Sequence, residues 1–522
     1  MPAEHANKRK KRSHLETSVV AGHGVDGTSS SSRDAAIDPF TKLPDELAVE
    51  ILSRLGTMNQ VAKCSSLVCR RWRNLWRSID GGILDFSSYD DHHDRRPLRK
   101  GAYTEPEQQL RFANRVDQAV SSILLHHCCK NLDLDAFIIG FDLYELEEEA
   151  WRWVEFGLSK RVKQLSLLNF FSWHLRNWVS LPQLTPEFLG KQDLSRLQVL
   201  ELEGVSKIPR GALDHIFSNC SSLQRLVLRD CRFLCPEGEL VIRVCCPGNN
   251  LQSLSLEYGE TLYNVTKIEL VSAPGLQSFR FVGRINPKVV EFVGELPQLR
   301  EARFGGRGIC EPPHYLPWSR SQFSKFAPQL ERLEIDLGIC HFIPHLAPPP
   351  EWLMFENLTV LDLFIYSELF SPNSFLDATV LLRAAPLLHR LSIWFMRVAR
   401  PLGQWKWRDL AAVSTWKHHS LQVLHLHGVH PGEDIHVVGG SARKIQLELA
   451  AYIIMNAPSL NRVLIDTRPH QQNIVHAEQQ EDEEEESRLP HQVDADVSGA
   501  RMELETHLQS HSASPHIHFT YL

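Results

Sequence analysis

The chain has 522 residues, 43% of them apolar and 23% charged, a balance that belongs to globular proteins and excludes fibrous classes. A formal net charge of −7 and a pI near 6.4 give no general pull toward nucleic acid, and no apolar run reaches the length of about eighteen residues that crosses a bilayer. The eleven cysteines are an odd number without paired CxxC spacing, which reads as buried thiols in a reducing compartment.

Residues 1–38 are polar, serine-rich and without apolar period, so disorder is expected there, and the N-terminus is polar where a secretory signal would be apolar. Within them Lys8, Arg9, Lys10, Lys11 and Arg12 form a basic run. It reads as a nuclear import signal or as a solvated tail; import is the reading taken, with the nucleus as location and a cytoplasmic pool also allowed.

The next stretch, residues 39–80, carries three short helices. Leu47, Ile51, Leu52 and Leu55 lie on one helical face, Pro44 suits the first helical position, and Gly56 can close the helix. Thr57 and Gln60 make a capping box ahead of Val61, Ala62, Cys64, Leu67 and Val68; Cys69, Trp72 and Leu75 follow among arginines. About forty residues of helix bury too little to be secure alone, so a partner or a larger domain must complete them. The residues Leu43 to Leu47, Ile51-Leu52, Leu67 to Trp72 and Leu75-Trp76 resemble an F-box. That resemblance implies docking on the Skp adaptor of a cullin/RING ubiquitin ligase through Leu43, Pro44, Leu47, Ile51, Leu52, Leu55, Val68, Cys69 and Trp72. The plainer alternative is an amphipathic hairpin packed into a larger domain.

Residues 81–109 are polar and charged around Asp90 to Pro97 and read as a linker. A helical pattern opens at Leu110 with Phe112, Val116, Val120 and Leu124. From Val162 the spacing apolar-x-x-apolar-x-apolar recurs: Val162-Leu165-Leu167, Leu197-Leu200-Leu202, Leu223-Leu226-Leu228, Leu251-Leu254-Leu256 and Leu276-Phe279-Phe281. It continues through Leu299-Ala302-Phe304, Leu330-Leu333-Ile335, Leu358-Leu361-Leu363, Leu388-Leu391-Ile393, Leu421-Leu424-Leu426 and Leu460-Val463-Ile465, and a weaker copy sits at Cys129-Leu132-Leu134. Successive copies start 23 to 39 residues apart, the range of leucine-rich repeats. Several follow an Ala-Pro lead-in, at Ala273, Ala327, Ala385 and Ala457, where proline stops a helix and turns the chain into a strand. Helical stretches such as Gly211 to Ser218 and Leu376 to Ala384 should pack behind the strands.

The expected fold class is therefore α/β: an N-terminal three-helix unit followed, over residues 110–470, by a solenoid of parallel strands and helices. The layout resembles plant F-box/leucine-rich-repeat proteins, and residues 440–470, with Tyr452, Ile453, Met455 and Asn456 to Leu460, resemble the FBD module of that family. Residues 471–522, with the acidic run Glu481 to Glu486, read as a disordered tail.

No phosphate loop, dinucleotide fingerprint or nucleophile elbow is legible, and Cys231, Cys235 and Cys245-Cys246 read as buried side chains rather than as a metal site, so no catalysis, metal or cofactor is expected. By strand alternation the residues between the leucines face outward, giving Glu201, Glu203, Arg225, Arg229, Glu257, Arg280, Arg303, Arg332 and Glu334. Phe364, Tyr366, Trp394, Met396, His425 and His427 fall at matching positions on three successive strands and read as an exposed aromatic target-binding patch. The alternatives are that another segment covers them or that the register slips and they are core. The resulting reading is a substrate-recognition subunit of a Skp/cullin/F-box ligase with an unknown target protein and no nucleic-acid or membrane partner. Rival readings are a small-molecule co-receptor, with Arg280, Arg303 and Arg332 holding an anion, and a nuclear repeat scaffold independent of the ligase.

Overall fold

The computed structural model describes residues 43–54, 61, 64, 67, 68, 71, 72, 75, 79, 82–87, 117, 118, 120, 121, 133–140, 143, 146–169, 178–234, 240–246, 248, 250–257, 265–282, 290–305, 325–336, 354–366, 381–396, 417–429, 436, 437, 440–466, 506 and 517–521. Lys8 to Arg12, Leu55, Cys69 and Glu481 to Glu486 lie outside the described residues. Fourteen strands make one sheet whose order follows the chain. They are β1 (Gly82–Asp85), β2 (Leu134–Gly140), β3 (Gln164–Leu168), β4 (Val199–Glu203), β5 (Arg225–Arg229), β6 (Ser253–Glu257) and β7 (Ser278–Val282). Then come β8 (Glu301–Gly305), β9 (Arg332–Asp336), β10 (Val360–Tyr366), β11 (Arg390–Met396), β12 (Val423–His427), β13 (Arg462–Asp466) and β14 (His518–Tyr521). Each pairs in parallel with the next, the arrangement of a solenoid.

The eleven strong copies of the repeat are β3 to β13, in the expected register. The second and third apolar positions form two unbroken rows of strand partners, from Leu165 to Val463 and from Leu167 to Ile465, and no member is more than 4% exposed. A slip of one residue would have turned both rows to the surface. The rungs begin one residue before each strand. The Gln198 carbonyl accepts from the N–H groups of both Gln224 and Arg225, and the pattern repeats at Gln224, Gln252, Gln277, Arg300, Glu331, Thr359, His389 and Gln422. Each copy thus satisfies the entry of the next.

The Ala-Pro lead-ins are tight turns. The N–H groups of Leu276, Leu330, Leu388 and Leu460 donate to the carbonyls of Ala273, Ala327, Ala385 and Ala457 at 3.0 to 3.4 Å. Proline presets the second position of such a turn, so it shapes the turn as well as ending what precedes it.

Three expectations are corrected. Gly82–Asp85, inside the stretch read as linker, is the first strand of the sheet, and Phe86 continues its pairing with an N–H donated to Ile138 O at 2.8 Å. His518–Tyr521, inside the stretch read as a disordered tail, closes the far edge against β13. Among the described residues lie the helices α1 (Asp45–Ser53), α2 (Glu147–Ser159), α3 (Pro186–Leu189), α4 (Arg210–Asn219) and α5 (Ala442–Asn456), and residues 381–384 are helical as expected, but the repeats between β5 and β8 carry strands where helices were expected. Leu240–Cys245, Val265–Ser272 and Val290–Phe292 form a second parallel sheet, because their valines, isoleucines and phenylalanine favour extended chain over helix. Phe292 from that layer packs at 5.7, 6.4 and 4.7 Å from the rings of Phe279, Phe304 and Phe326.

Candidate functional site

The first surface is on α1. The helix starts one residue later than expected, with Pro44 as its N-cap and Asp45 and Glu46 in the first turn, where the positive end of the helix favours them. Of the residues expected to meet an adaptor, Pro44, Leu47 and Ile51 are exposed, Leu43 and Val68 are half-buried, and Leu52 and Trp72 are buried. Leu52 and Trp72, at 0% and 2% exposure, join Ala48, Val61, Ile79, Leu84 and Phe86 in the core and so carry the fold rather than a contact. Leu47 and Ile51, one turn apart on the same face, are 47% and 41% exposed, and Leu67 is 85% exposed. These are large aliphatic side chains left in water on a short helical unit. The unit is fixed to the sheet: Ile79, Leu84 and Phe86 share its core, and the Phe86 ring meets Phe137 edge-on at 6.2 Å.

The second surface is the outward face of the sheet. From β4 to β10 it is a ladder of ion pairs: Arg225 with Glu201 at 3.3 Å, Arg229 with Glu257 and Glu203 at 3.3 and 3.5 Å, and Arg280 with Glu257 at 3.0 Å. Arg303 then meets Glu334 at 2.9 Å, and Arg332 meets Asp362 and Glu334 at 2.7 and 3.1 Å. Burial raises the Glu203 carboxyl even against Arg229; burial would depress Arg229, but Glu257, Glu203 and Glu201 hold it raised. Arg280, Arg303 and Arg332 thus each meet a carboxylate, Glu257 and Glu334 being shared between neighbouring arginines, which weakens the charge an anion site in that stripe would need.

Phe364, Trp394 and His427 are strand partners in one row, as the register predicts, but they are not an exposed patch. Phe364, His425 and His427 are buried and Trp394 is half-buried. Rings on neighbouring strands fall at stacking distance and cover each other: Trp394 lies 5.7 Å from Phe364 at 10° and 3.5 Å from His427 at 2°. The Arg303 guanidinium, 4.7 Å from the Phe364 ring, closes that end of the stack, and His425 leans on His427 at 3.5 Å. His425 instead shares a row with Asp362 and Ser392; the backbones of Tyr366 and Met396 pair, and their side chains lie outside the described residues.

Beyond the stack the face changes character. Arg390 and Arg462, which outward-position counting in the sequence passed over, are exposed and have no ion-pair partner among the described residues. Their signal was the strand register itself, since each occupies the same repeat position as Arg225 and Arg332.

Among the described residues no three histidine, cysteine or acidic side chains converge to hold a metal. Burial pushes the thiols of Cys220 and Cys246 up to about 12 and that of Cys231 higher still, which leaves them inert as nucleophiles.

The two regions that carry these surfaces match known families. The F-box domain family matches residues 40–83, and the leucine-rich-repeat family described as "At1g61320/AtMIF1, LRR domain" matches residues 183–514, more than half of the chain. The F-box/FBD/LRR-repeat protein At5g56420 of Arabidopsis thaliana is 28% identical over 42% of this chain and 49% of its own length. F-box/LRR-repeat protein 13 of the same plant is 25% identical over 40% and 44%, and the meiotic F-box protein MOF of Oryza sativa subsp. japonica is 29% identical over 32% of each chain. The chain therefore spans about half the length, or less, of these relatives. With an F-box at its N-terminal end and a parallel repeat sheet behind it, this chain belongs to the F-box/leucine-rich-repeat proteins, in the company of plant F-box/FBD/LRR-repeat relatives.

Proposed function

We propose that the chain is the non-catalytic substrate-recognition subunit of a Skp/cullin/F-box ubiquitin ligase. The F-box holds the Skp adaptor, and through it a cullin and RING protein, while the repeat sheet holds a target protein for ubiquitination. The observation that carries this reading is the exposure of Leu47, Ile51 and Leu67 on a unit that matches the F-box family. Covering a fully exposed side chain of this kind contributes about 1.5 to 3 kcal/mol; Leu47 and Ile51 are already more than half buried, so the three supply an apolar anchor for the adaptor contact and not its whole affinity. The chain's own part in the chemistry is proximity: a target held on a rigid sheet has its lysines near the charged enzyme at high effective concentration. The basic run Lys8 to Arg12 supports a nuclear location within this reading.

The test is co-purification with the Skp adaptor. The intact chain should retain it, and Leu47→Asp with Ile51→Asp should lose it while the thermal unfolding of the chain is unchanged. An intact, folded chain that fails to retain the adaptor would leave a repeat scaffold outside the ligase as the function.

A further inference from the structure

The outward face of the sheet is nearly self-neutral over β4 to β10, where five arginines each meet a carboxylate within 3.5 Å. Arg390 on β11 and Arg462 on β13 break that rule. Both are exposed, and neither has a carboxylate partner among the described residues. They stand in the same row with half-buried Val423 between them, and half-buried Leu464 continues the apolar floor beside Arg462. At about 4.8 Å per strand step the two Cα atoms are roughly 10 Å apart, too far for one small anion to lie against both without bending the side chains inward. A chain carrying several carboxylates meets both in place. In a polyproline-type segment every third side chain returns to one side after about 9.3 Å, which matches that span.

The neighbouring charge agrees. The field of Arg390 is one of the causes, after burial, that holds His425 below its ordinary value. Asp466 and Asp362 oppose it at that ring, but neither pairs with Arg390 itself: Asp362 is held by Arg332, and Asp466 lies by His427. A nucleic acid is a poorer fit, since phosphate backbones are held by long basic tracks and, among the described residues of this face, only two unpaired arginines stand, on a chain of net charge −7.

We propose that the outward face of β11 to β13 is a docking surface for an acidic, extended segment of the target protein, with carboxylates on Arg390 and Arg462 and apolar groups over Val423 and Leu464. This rests on the reading that the repeats hold a target, and it names the chemistry of what they hold.

The test uses the full chain and a fluorescein-labelled ten-residue oligoglutamate, followed by fluorescence anisotropy at low and moderate salt. The expected result is saturable binding that weakens with salt and becomes at least about tenfold weaker in Arg390→Gln with Arg462→Gln, while Arg225→Gln, whose arginine is already paired, binds as the parent does. Three results would overturn the proposal: equal binding by the double variant with its melting temperature intact, equal binding of an oligolysine of the same length, or displacement of the probe by low-millimolar inorganic phosphate. Adaptor retention by the same double variant is scored separately, so a lost docking surface and a lost ligase role give different outcomes.

Discussion

His418 shows what a single side chain does where the repeat pattern changes its letters. Other copies close the turn before the strand with a backbone carbonyl, but at β12 the Leu421 N–H donates to His418 Nδ1 at 3.1 Å. Since a backbone N–H only donates, Nδ1 must be unprotonated, and Nε2–H then donates to the Ala385 carbonyl at 2.9 Å. The ring is 4% exposed, and burial holds its pKa below the ordinary histidine value in spite of the Ala385 bond. The unfolded chain therefore takes up a proton at pH values where the folded chain does not. Stability from this group is full above about pH 6.5 and is lost as pH falls below it, toward the depressed folded-state pKa. His425, also lowered by burial, adds to the same slope. The melting temperature should fall between pH 7 and 5.5, and His418→Asn, which keeps an acceptor but cannot titrate, should fall less steeply; equal slopes would show that His418 is not a source of the effect. This was not readable from sequence, because the Ala385 carbonyl that takes the Nε2–H belongs to the preceding repeat.

At the scale of elements, the two apolar rows are the part the sequence made plain. A leucine needs the same environment in every copy, and its spacing survives wherever loop lengths vary. Leu391 is 0% exposed in the middle of its row, and Leu391→Ala should cost about 2 to 5 kcal/mol, read as a lowered midpoint in urea unfolding. A loss below about 1 kcal/mol would mean that the row is not close-packed there. The layer behind the sheet was less legible. Leu240–Cys245 and Val265–Ser272 follow no repeat template, and their choice of strand over helix was decided by local composition and by each other. The edge strand β14 was illegible for a different reason: four residues, His518–Tyr521, carry too short a pattern, and only the open edge of β13 gives them a partner. Removing residues 517–522 should bare that edge and produce concentration-dependent association in light scattering; a chain that stays monodisperse would show the edge to be protected otherwise. The aromatic row was half legible. Register placed Phe364, Trp394 and His427 correctly, but nothing in a linear sequence says that three rings on adjacent strands hide one another instead of facing a target.

For the whole molecule, the consequence is stiffness between the two surfaces. The F-box core residues Leu52 and Trp72, Leu84 of the first strand and Phe86 just after it lie in one continuous hydrophobic cluster with the repeat rows. A linker beginning at residue 81 would have let the two ends unfold apart; a shared core predicts that they melt together, as one calorimetric transition that Trp72→Ala shifts as a unit by about 3 to 5 kcal/mol of stability. Two separated transitions would contradict it. Such coupling is what the proposed proximity role needs, because a target docked on β11 to β13 would sit at a fixed bearing from an adaptor on Leu47 and Ile51. The measurement that bears most directly on the account is therefore adaptor co-purification, comparing the intact chain with Leu47→Asp/Ile51→Asp under matched folding. Retention by the intact chain and its loss in the variant are the expected result; retention by both, or by neither while the chain is folded, would contradict the claim that this face is where the ligase begins.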